Sequence, residues 1–215
     1  MVTPPRHPGP LDGATTDEPT DAELIARSLD DPRAFMPLVD RHRRILFGYL
    51  ARRVGHDTAE DLTSETFTRA FAQRARFDRT RDDARPWLFG IATNLVRNQA
   101  RSEMRQLRAY SRHGVDDRID PDAAATHARL DAAAQTPALA AALAALKPDD
   151  RDTLALFAFN DLSYEEIAEA LDVPVGTVRS RLNRARRVVR EHLDDRRDDV
   201  LQDPTTTREA SHGRP

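Results

Sequence analysis

Residues 162–193, LSYEEIAEALDVPVGTVRSRLNRARRVVREHL, constrain the fold more than any other stretch of this chain. Ser163 followed by Glu166 is a capping-box pattern: the hydroxyl accepts the backbone N–H three residues on, and the glutamate reaches back to the cap. Ile167, Ala168 and Leu171 then supply the inward stripe of a short amphipathic helix. Asp172-Val173-Pro174 ends it, because the residue before a proline is pushed out of the helical region. From Gly176 a second helix is predicted, with Val178, Leu182, Ala185, Val188 and Val189 at helical spacing. Arg179, Arg181, Arg184, Arg186, Arg187 and Arg190 decorate it against one acid, Glu191. An ordinary helical hairpin with a solvated basic face shares part of this pattern. Capping, turn and one-signed charge together favour a helix-turn-helix whose second helix fits a DNA major groove.

Composition narrows the remaining possibilities. The 215 residues are enough for one or two domains with real cores. Cysteine is absent, which excludes disulfides, thiol catalysis and Cys-ligated zinc, and is compatible with a reducing, cytoplasmic setting. The first residues, MVTPPRHPGPLDG, lack the apolar core of a signal peptide. The longest apolar run, Ala138 to Leu146, is too short to span a bilayer, so no membrane insertion is expected. A net charge of -3 argues against a general polycation, yet the charges are segregated. Asn94 to Arg112 carries Arg97, Arg101, Arg105, Arg108 and Arg112 against Glu103 alone. Two basic helices on an acidic chain point to DNA contact at defined places.

The predicted organisation is all-α: two small helical domains joined by a flexible acidic linker, the second a helix-turn-helix unit. Residues 1–20 read as a disordered arm, 21–112 as the first domain, 113–135 as the linker, 136–195 as the second domain and 196–215 as a disordered tail with no further folded domain. In the first domain Phe35, Leu38, Val39, His42, Ile45, Leu46, Tyr49, Leu50 and Val54 keep one stripe through five turns. Gly55 breaks it, and Asp57 with Glu60 is expected to start the next helix. Leu62, Thr66, Phe67, Ala70 and Phe71 line that helix's buried side. Pro86 suits the first turn of a long helix whose inward face is Leu88, Ile91, Ala92, Leu95 and Val96. In the second domain helix resumes near Pro137, is interrupted at Lys147-Pro148, and turns at Asn160-Asp161.

Three constellations carry candidate chemistry. On the second helix of the helix-turn-helix, Thr177, Ser180, Asn183 and Arg184 fall on the outer side, where arginine pairs with guanine and asparagine with adenine edges. Arg179, Arg181, Arg186 and Arg187 suit phosphates. On the long helix, Trp87, Asn94 and Arg101 recur every seven residues, with Asn98 one turn beyond Asn94. That order suits single-stranded DNA through stacking, amide readout of a base edge and phosphate grip; a tryptophan seated in the core at a helix start fits equally well. Asp61, Glu65 and Thr68 form an acidic-polar outer face, readable as a solvated surface or as a partner surface. Adjacent carboxylates such as Asp82-Asp83 and Asp149-Asp150 sit at loops or helix ends beside arginines. No paired acid/base, phosphate-cradling loop or metal set is visible, so neither catalysis nor a cofactor is expected.

Taken together, AEDLTSETFTRAF, RPWLFGIATNLVRNQAR and LSYEEIAEALDVPVGTVRSRLNRAR resemble the extracytoplasmic-function (ECF) subgroup of bacterial RNA polymerase sigma factors, over about Asp21 to Leu193. The resemblance implies that Asp61, Leu62, Glu65 and Phe67 lie on the segment that docks on core RNA polymerase. It implies that Trp87, Asn94, Arg97, Asn98 and Arg101 belong to the segment that melts and reads the minus-ten element, with Asn94 at the position that helps capture a flipped base. It assigns Thr177, Arg179, Ser180, Arg181, Asn183, Arg184 and Arg187 to reading the minus-thirty-five duplex. An anti-sigma factor is a further implied partner. Ser64 stands where the family often has glutamine, and Lys147-Pro148-Asp149-Asp150-Arg151 is more acidic than the usual opening of the second domain. The rival is a helix-turn-helix regulator that is not a polymerase subunit; it leaves the first domain without a task.

Overall fold

The computed structural model describes residues 18–111, 137–160 and 162–202, and among these every regular element is a helix. The first unit opens with α1 (Asp21–Arg27), whose N-cap Thr20 accepts from the Glu23 N–H while the Glu23 side chain returns to the Thr20 N–H. A 3-10 turn, Pro32–Phe35, leads into α2 (Met36–Val54), then α3 (His56–Gln73), a second 3-10 turn at Arg74–Arg76, and α4 (Arg85–Ser111). Helices α2, α3 and α4 pack on one another. Between them lie Leu38, Leu46, Tyr49, Leu50, Ala59, Leu62, Phe67, Ala70, Leu88, Ala92, Leu95 and Val96, all buried as the helical spacing requires.

One buried carboxylate fixes how α1 meets this bundle. Asp21 Oδ1 accepts from Arg41 Nη1 at 2.6 Å, Oδ2 lies 2.6 Å from His42 Nε2, and Oδ2 also accepts the Ala84 N–H at 2.9 Å. Burial alone would raise the Asp21 carboxyl; the hydrogen bonds from His42 and Ala84, with Arg41 beside them, hold it below the ordinary carboxylate value. A lowered folded value means that the contribution is fully present above the unfolded value of about 3.9 and is lost as pH falls through the folded one. Asp21→Asn, which keeps the shape and removes the charge, is expected to lower stability by roughly 3 kcal/mol at neutral pH. The gap between variant and parent closes as acid is added, which urea titrations at several pH values would measure.

The second unit comprises α5 (Pro137–Ala144), α6 (Pro148–Asn160), α7 (Tyr164–Leu171) and α8 (Val175–Gln202). Arg151 closes the end of α5, donating to the carbonyls of Leu143, Ala144 and Leu146, groups that a helix C-terminus leaves without partners. The capping box on α7 forms as the sequence predicts: Ser163 Oγ accepts from the Glu166 N–H, and Glu166 accepts from the Ser163 N–H at 2.6 Å. Asp172 ends α7 in the left-handed region (φ 52°). Ile167, Val178, Leu182 and Ala185 are fully buried and lock the two helices of the motif together.

The structure departs from the sequence reading in four places. The start of α3 is set by Gly55, whose φ of 81° reverses the chain, with no side-chain cap. Asp57 sits inside the first turn, where it favours the helix dipole instead of capping. Ile45 falls at the margin of the α2 stripe and is 39% exposed. Helix α8 continues past the boundary expected at 195 as far as Gln202. Finally, the two units are not merely tethered. Helix α7 packs on α4 and α6 on α2, so one buried cluster runs through both units. The expected linker at 113–135 and most of the arm and tail lie outside the described residues.

Candidate nucleic-acid interface

On α8 the apolar residues Val178, Leu182 and Ala185 face inward, which turns Arg179, Ser180, Asn183, Arg184 and Arg187 to solvent and leaves Thr177 and Arg181 half-buried. Ser180 Oγ donates to the Thr177 carbonyl at 3.0 Å. Arg187 makes a loose i,i+4 pair with Glu191 at 3.7 Å. Arg186, read from sequence as a phosphate contact, lies over the Phe157 ring at 5.0 Å. Arg184 donates twice to Asp150, at 2.8 and 3.1 Å, and the carboxylate beside it raises its already high pKa further. Arg181 donates to Asp149 at 2.8 Å.

Along α4 the exposed strip is Asn94, Asn98 and Arg101. Trp87 is half-buried, tilted against Phe77 with ring centroids 5.1 Å apart, so it joins the margin of the core and keeps part of its surface open. Arg97 is turned aside: its Nε donates to Asp152 at 2.5 Å and its Nη2 to Asp149 at 2.9 Å. On α3, Asp61 is exposed and Glu65 half-exposed, accepting from Arg69 at 2.7 Å. Leu62 and Phe67 are buried and hold that face in place from behind.

Sequence reasoning missed the residues that join the two units. Gly90 on α4 lies so close to α7 that a Cβ there would sit 2.6 Å from the Ala170 carbonyl oxygen. Arg53 of α2, buried, pairs with Asp152 of α6; Arg81 pairs with Glu169, and Arg85 stands 3.6 Å from Glu166. The sequence carried one available signal, the unusually acidic opening of α6. A second was Gly90, a residue without a side chain inside a long helix, where another backbone can approach closely.

Asp21, His42 and Asp83 bring three candidate ligand atoms within 4.8 Å of one another. Both Asp21 oxygens are already engaged, and Asp83 accepts from Arg85 Nε at 2.6 Å. Two guanidinium groups at the site make it a structural knot between α1, α2 and α4. No helix among the described residues is long and apolar enough to cross a membrane.

An arginine-bearing second helix of a helix-turn-helix, and a separate helix exposing amides and an arginine, are features of an all-α DNA-binding protein. The family comparisons divide at the same place: residues 38–106 match "Sigma-70 region 2" and residues 137–188 match "Sigma-70, region 4". The ECF RNA polymerase sigma factor SigE of Mycolicibacterium smegmatis is 36% identical over 83% of this chain and 69% of its own length. The ECF RNA polymerase sigma-E factor of Haemophilus influenzae is 32% identical over 81% of this chain and 95% of its own. Among solved structures, the sigma factor RpoE in complex with the anti-sigma factor NepR, from Bartonella quintana, superposes with a TM-score of 0.57 at 27% identity, covering 75% of this chain and 98% of that one. The chain belongs to the ECF family of RNA polymerase sigma factors.

Proposed function

We propose that this chain is a non-catalytic promoter-specificity subunit that acts in the cytoplasm, with each of its surfaces taking one task. Core RNA polymerase docks on the α3 face at Asp61 and Glu65, which the buried Leu62 and Phe67 shape from beneath. Helix α4 holds the opened minus-ten strand: Asn94 and Asn98 offer amides to unpaired base edges, Arg97 and Arg101 grip phosphates, and Trp87 offers an aromatic face for stacking. Helix α8 enters the upstream major groove, with Thr177, Ser180, Asn183 and Arg184 toward bases and Arg179, Arg181 and Arg187 toward phosphates. Polymerase performs the phosphoryl transfer, so no active site is required of this subunit. The Bartonella structure, with its anti-sigma factor, supports a protein inhibitor of the same kind here.

The observation that carries this reading is that one chain holds sigma regions 2 and 4, in that order, each with a helix that exposes asparagine and arginine. A helix-turn-helix regulator would need only α8. Transcription in vitro with purified core polymerase and genomic promoter fragments is expected to give specific starts that depend on this chain. Failure on every fragment would sink the proposal. In that assay Asn94→Ala is expected to cut strand opening, read by permanganate reactivity of unpaired thymines, by about tenfold, the loss of one base-reading amide. Binding of the closed promoter duplex should change by less than about twofold; equal loss of both would remove Asn94 from the base-reading role.

A further inference from the structure

On α8 the residues Thr177, Ser180 and Arg184 lie at i, i+3 and i+7, one row on the side turned away from Val178, Leu182 and Ala185. The acid beside this row belongs to α6. Asp150, in the first turn of α6, is 4% exposed, whereas Arg184 keeps 47% of its side chain open. Asp150 Oδ2 accepts from Arg184 Nε at 3.1 Å and Oδ1 from Nη2 at 2.8 Å, a parallel fork along the inner edge of the guanidinium. Two bonds to one buried carboxylate fix the plane of the group as well as its place. The outer edge, formed by Nη1 and the second hydrogen of Nη2, takes no part in this pair. Arg181 is attached differently, by one bond from Nη2 to Asp149, a carboxylate 52% exposed.

We infer that Asp150 is a positioning residue for upstream recognition, setting Arg184 so that its outer edge reads a guanine in the major groove. The inference rests on the proposed function, which turns this face of α8 toward bases. Guanine presents N7 and O6 side by side, and the outer N–H groups of an arginine match them as a bidentate pair. A long side chain is otherwise a poor fixed reader, because it has many rotamers and loses them on binding. The fork to Asp150 removes most of that freedom during folding, so the loss is not repeated when DNA arrives. The carboxylate also offsets the charge that would draw Arg184 to the phosphates, where an arginine gives affinity without discrimination. Arg187, held by the loose Glu191 pair, keeps the freedom that a phosphate contact needs. As a way to join α6 to α8 the Asp150–Arg184 pair is inefficient, since ions that lose water rarely stabilise more than apolar residues of the same size. Its use lies in direction.

The test uses holoenzyme assembled from the full chain and core polymerase, on a promoter fragment that gives specific starts. Each base pair of the upstream element is changed in turn, and binding is measured by competition. The parent is expected to lose about tenfold at one guanine, whichever strand carries it. Arg184→Ala and Arg184→Lys should both flatten that position to within about twofold, lysine because it keeps the charge and lacks the planar fork. Asp150→Asn keeps the shape of the side chain and should cut the preference at the same guanine to about threefold or less. Other positions should hold within about twofold. The released cation should steepen the salt dependence by about one phosphate contact, a slope change of roughly 0.9. Combined with Arg184→Ala, Asp150→Asn should cost nothing further at that guanine. Circular dichroism reports whether each variant keeps its helices. Asp150→Glu, which keeps the charge and moves the fork by one methylene, should lower the same preference without changing the slope, and it carries the test should Asp150→Asn unfold. An even loss across every position in Asp150→Asn would make the carboxylate merely structural and overturn the inference. A guanine preference that survives Asp150→Asn intact, or survives Arg184→Ala, would overturn it as well. Either result with specific starts intact leaves the proposed function standing, whereas absence of specific starts in the parent would remove that reading and the inference with it.

Discussion

Tyr49→Ala is expected to lower the stability of the chain by about 3–5 kcal/mol, the cost of removing a large buried ring. Tyr49 is fully buried in α2, edge-to-face with Phe89 of α4 at 5.2 Å between ring centroids. Its hydroxyl shares a hydrogen bond of 2.8 Å with Thr93 Oγ1, and Arg53 Nη1 approaches it at 3.5 Å. Burial pushes the phenol pKa up, partly opposed by the Arg53 charge, so the hydroxyl stays neutral and able to donate. Tyr49→Phe isolates the polar share: it keeps the ring and strands the Thr93 hydroxyl, for about 1–3 kcal/mol. Urea unfolding of the full chain followed by circular dichroism would rank the three proteins. A Tyr49→Phe loss as large as that of Tyr49→Ala would mean that the hydroxyl network, not the ring, holds α2 to α4. Against a typical total stability of roughly 5–15 kcal/mol, the alanine variant is expected to leave a substantial unfolded fraction at 37 °C.

Leu182→Ala should be the most damaging single truncation in the second unit, costing about 2–5 kcal/mol and abolishing upstream duplex binding with it. Leu182 is fully buried at the centre of the α7–α8 seam beside Val178 and Ile167. Its loss leaves a cavity at the point that fixes the angle of α8. Asn183, the next residue, is exposed. Asn183→Ala is expected to leave stability within about 0.5 kcal/mol and to change base preference in the upstream element by about 1–3 kcal/mol. Thermal melts paired with binding to a panel of upstream duplexes test both at once. If Leu182→Ala bound DNA normally, α8 would not need its seat to read the groove. If Asn183→Ala left every preference unchanged, its place on the reading face would be lost.

Much of this is legible in the sequence, for physical reasons tied to particular residues. The Ser163–Glu166 cap and the Asp172–Pro174 stop are local devices, set by side chains within a few positions of the backbone groups they satisfy. The inward stripes of α2, α3, α4 and α8 follow from helical period alone, and Leu62, Phe67, Leu88, Leu95, Val178 and Leu182 are buried where that period puts them. Ile45 escaped because period does not say how wide a stripe its partner helix will cover. Gly55 took the cap expected of Asp57 because a left-handed residue reverses the chain without needing a side chain.

The sequence by itself therefore determined the all-α character, the two helical units, the helix-turn-helix and which side of each helix faces water, because those depend on neighbours within a turn or two. Only the tertiary structure decided that the units close on each other. Asp152 reaches Arg53 across 99 positions and Arg97 across 55. Gly90 meets Ala170 at a distance that no local propensity encodes. Arg97, Arg181 and Arg184 carry the same charge in the sequence as Arg101, Arg179 and Arg187. The fold divides them, giving the first three carboxylate partners from α6 and leaving Arg101, Arg179 and Arg187 exposed to solvent. Charge is a property of a residue, but its availability depends on what long-range packing sets beside it.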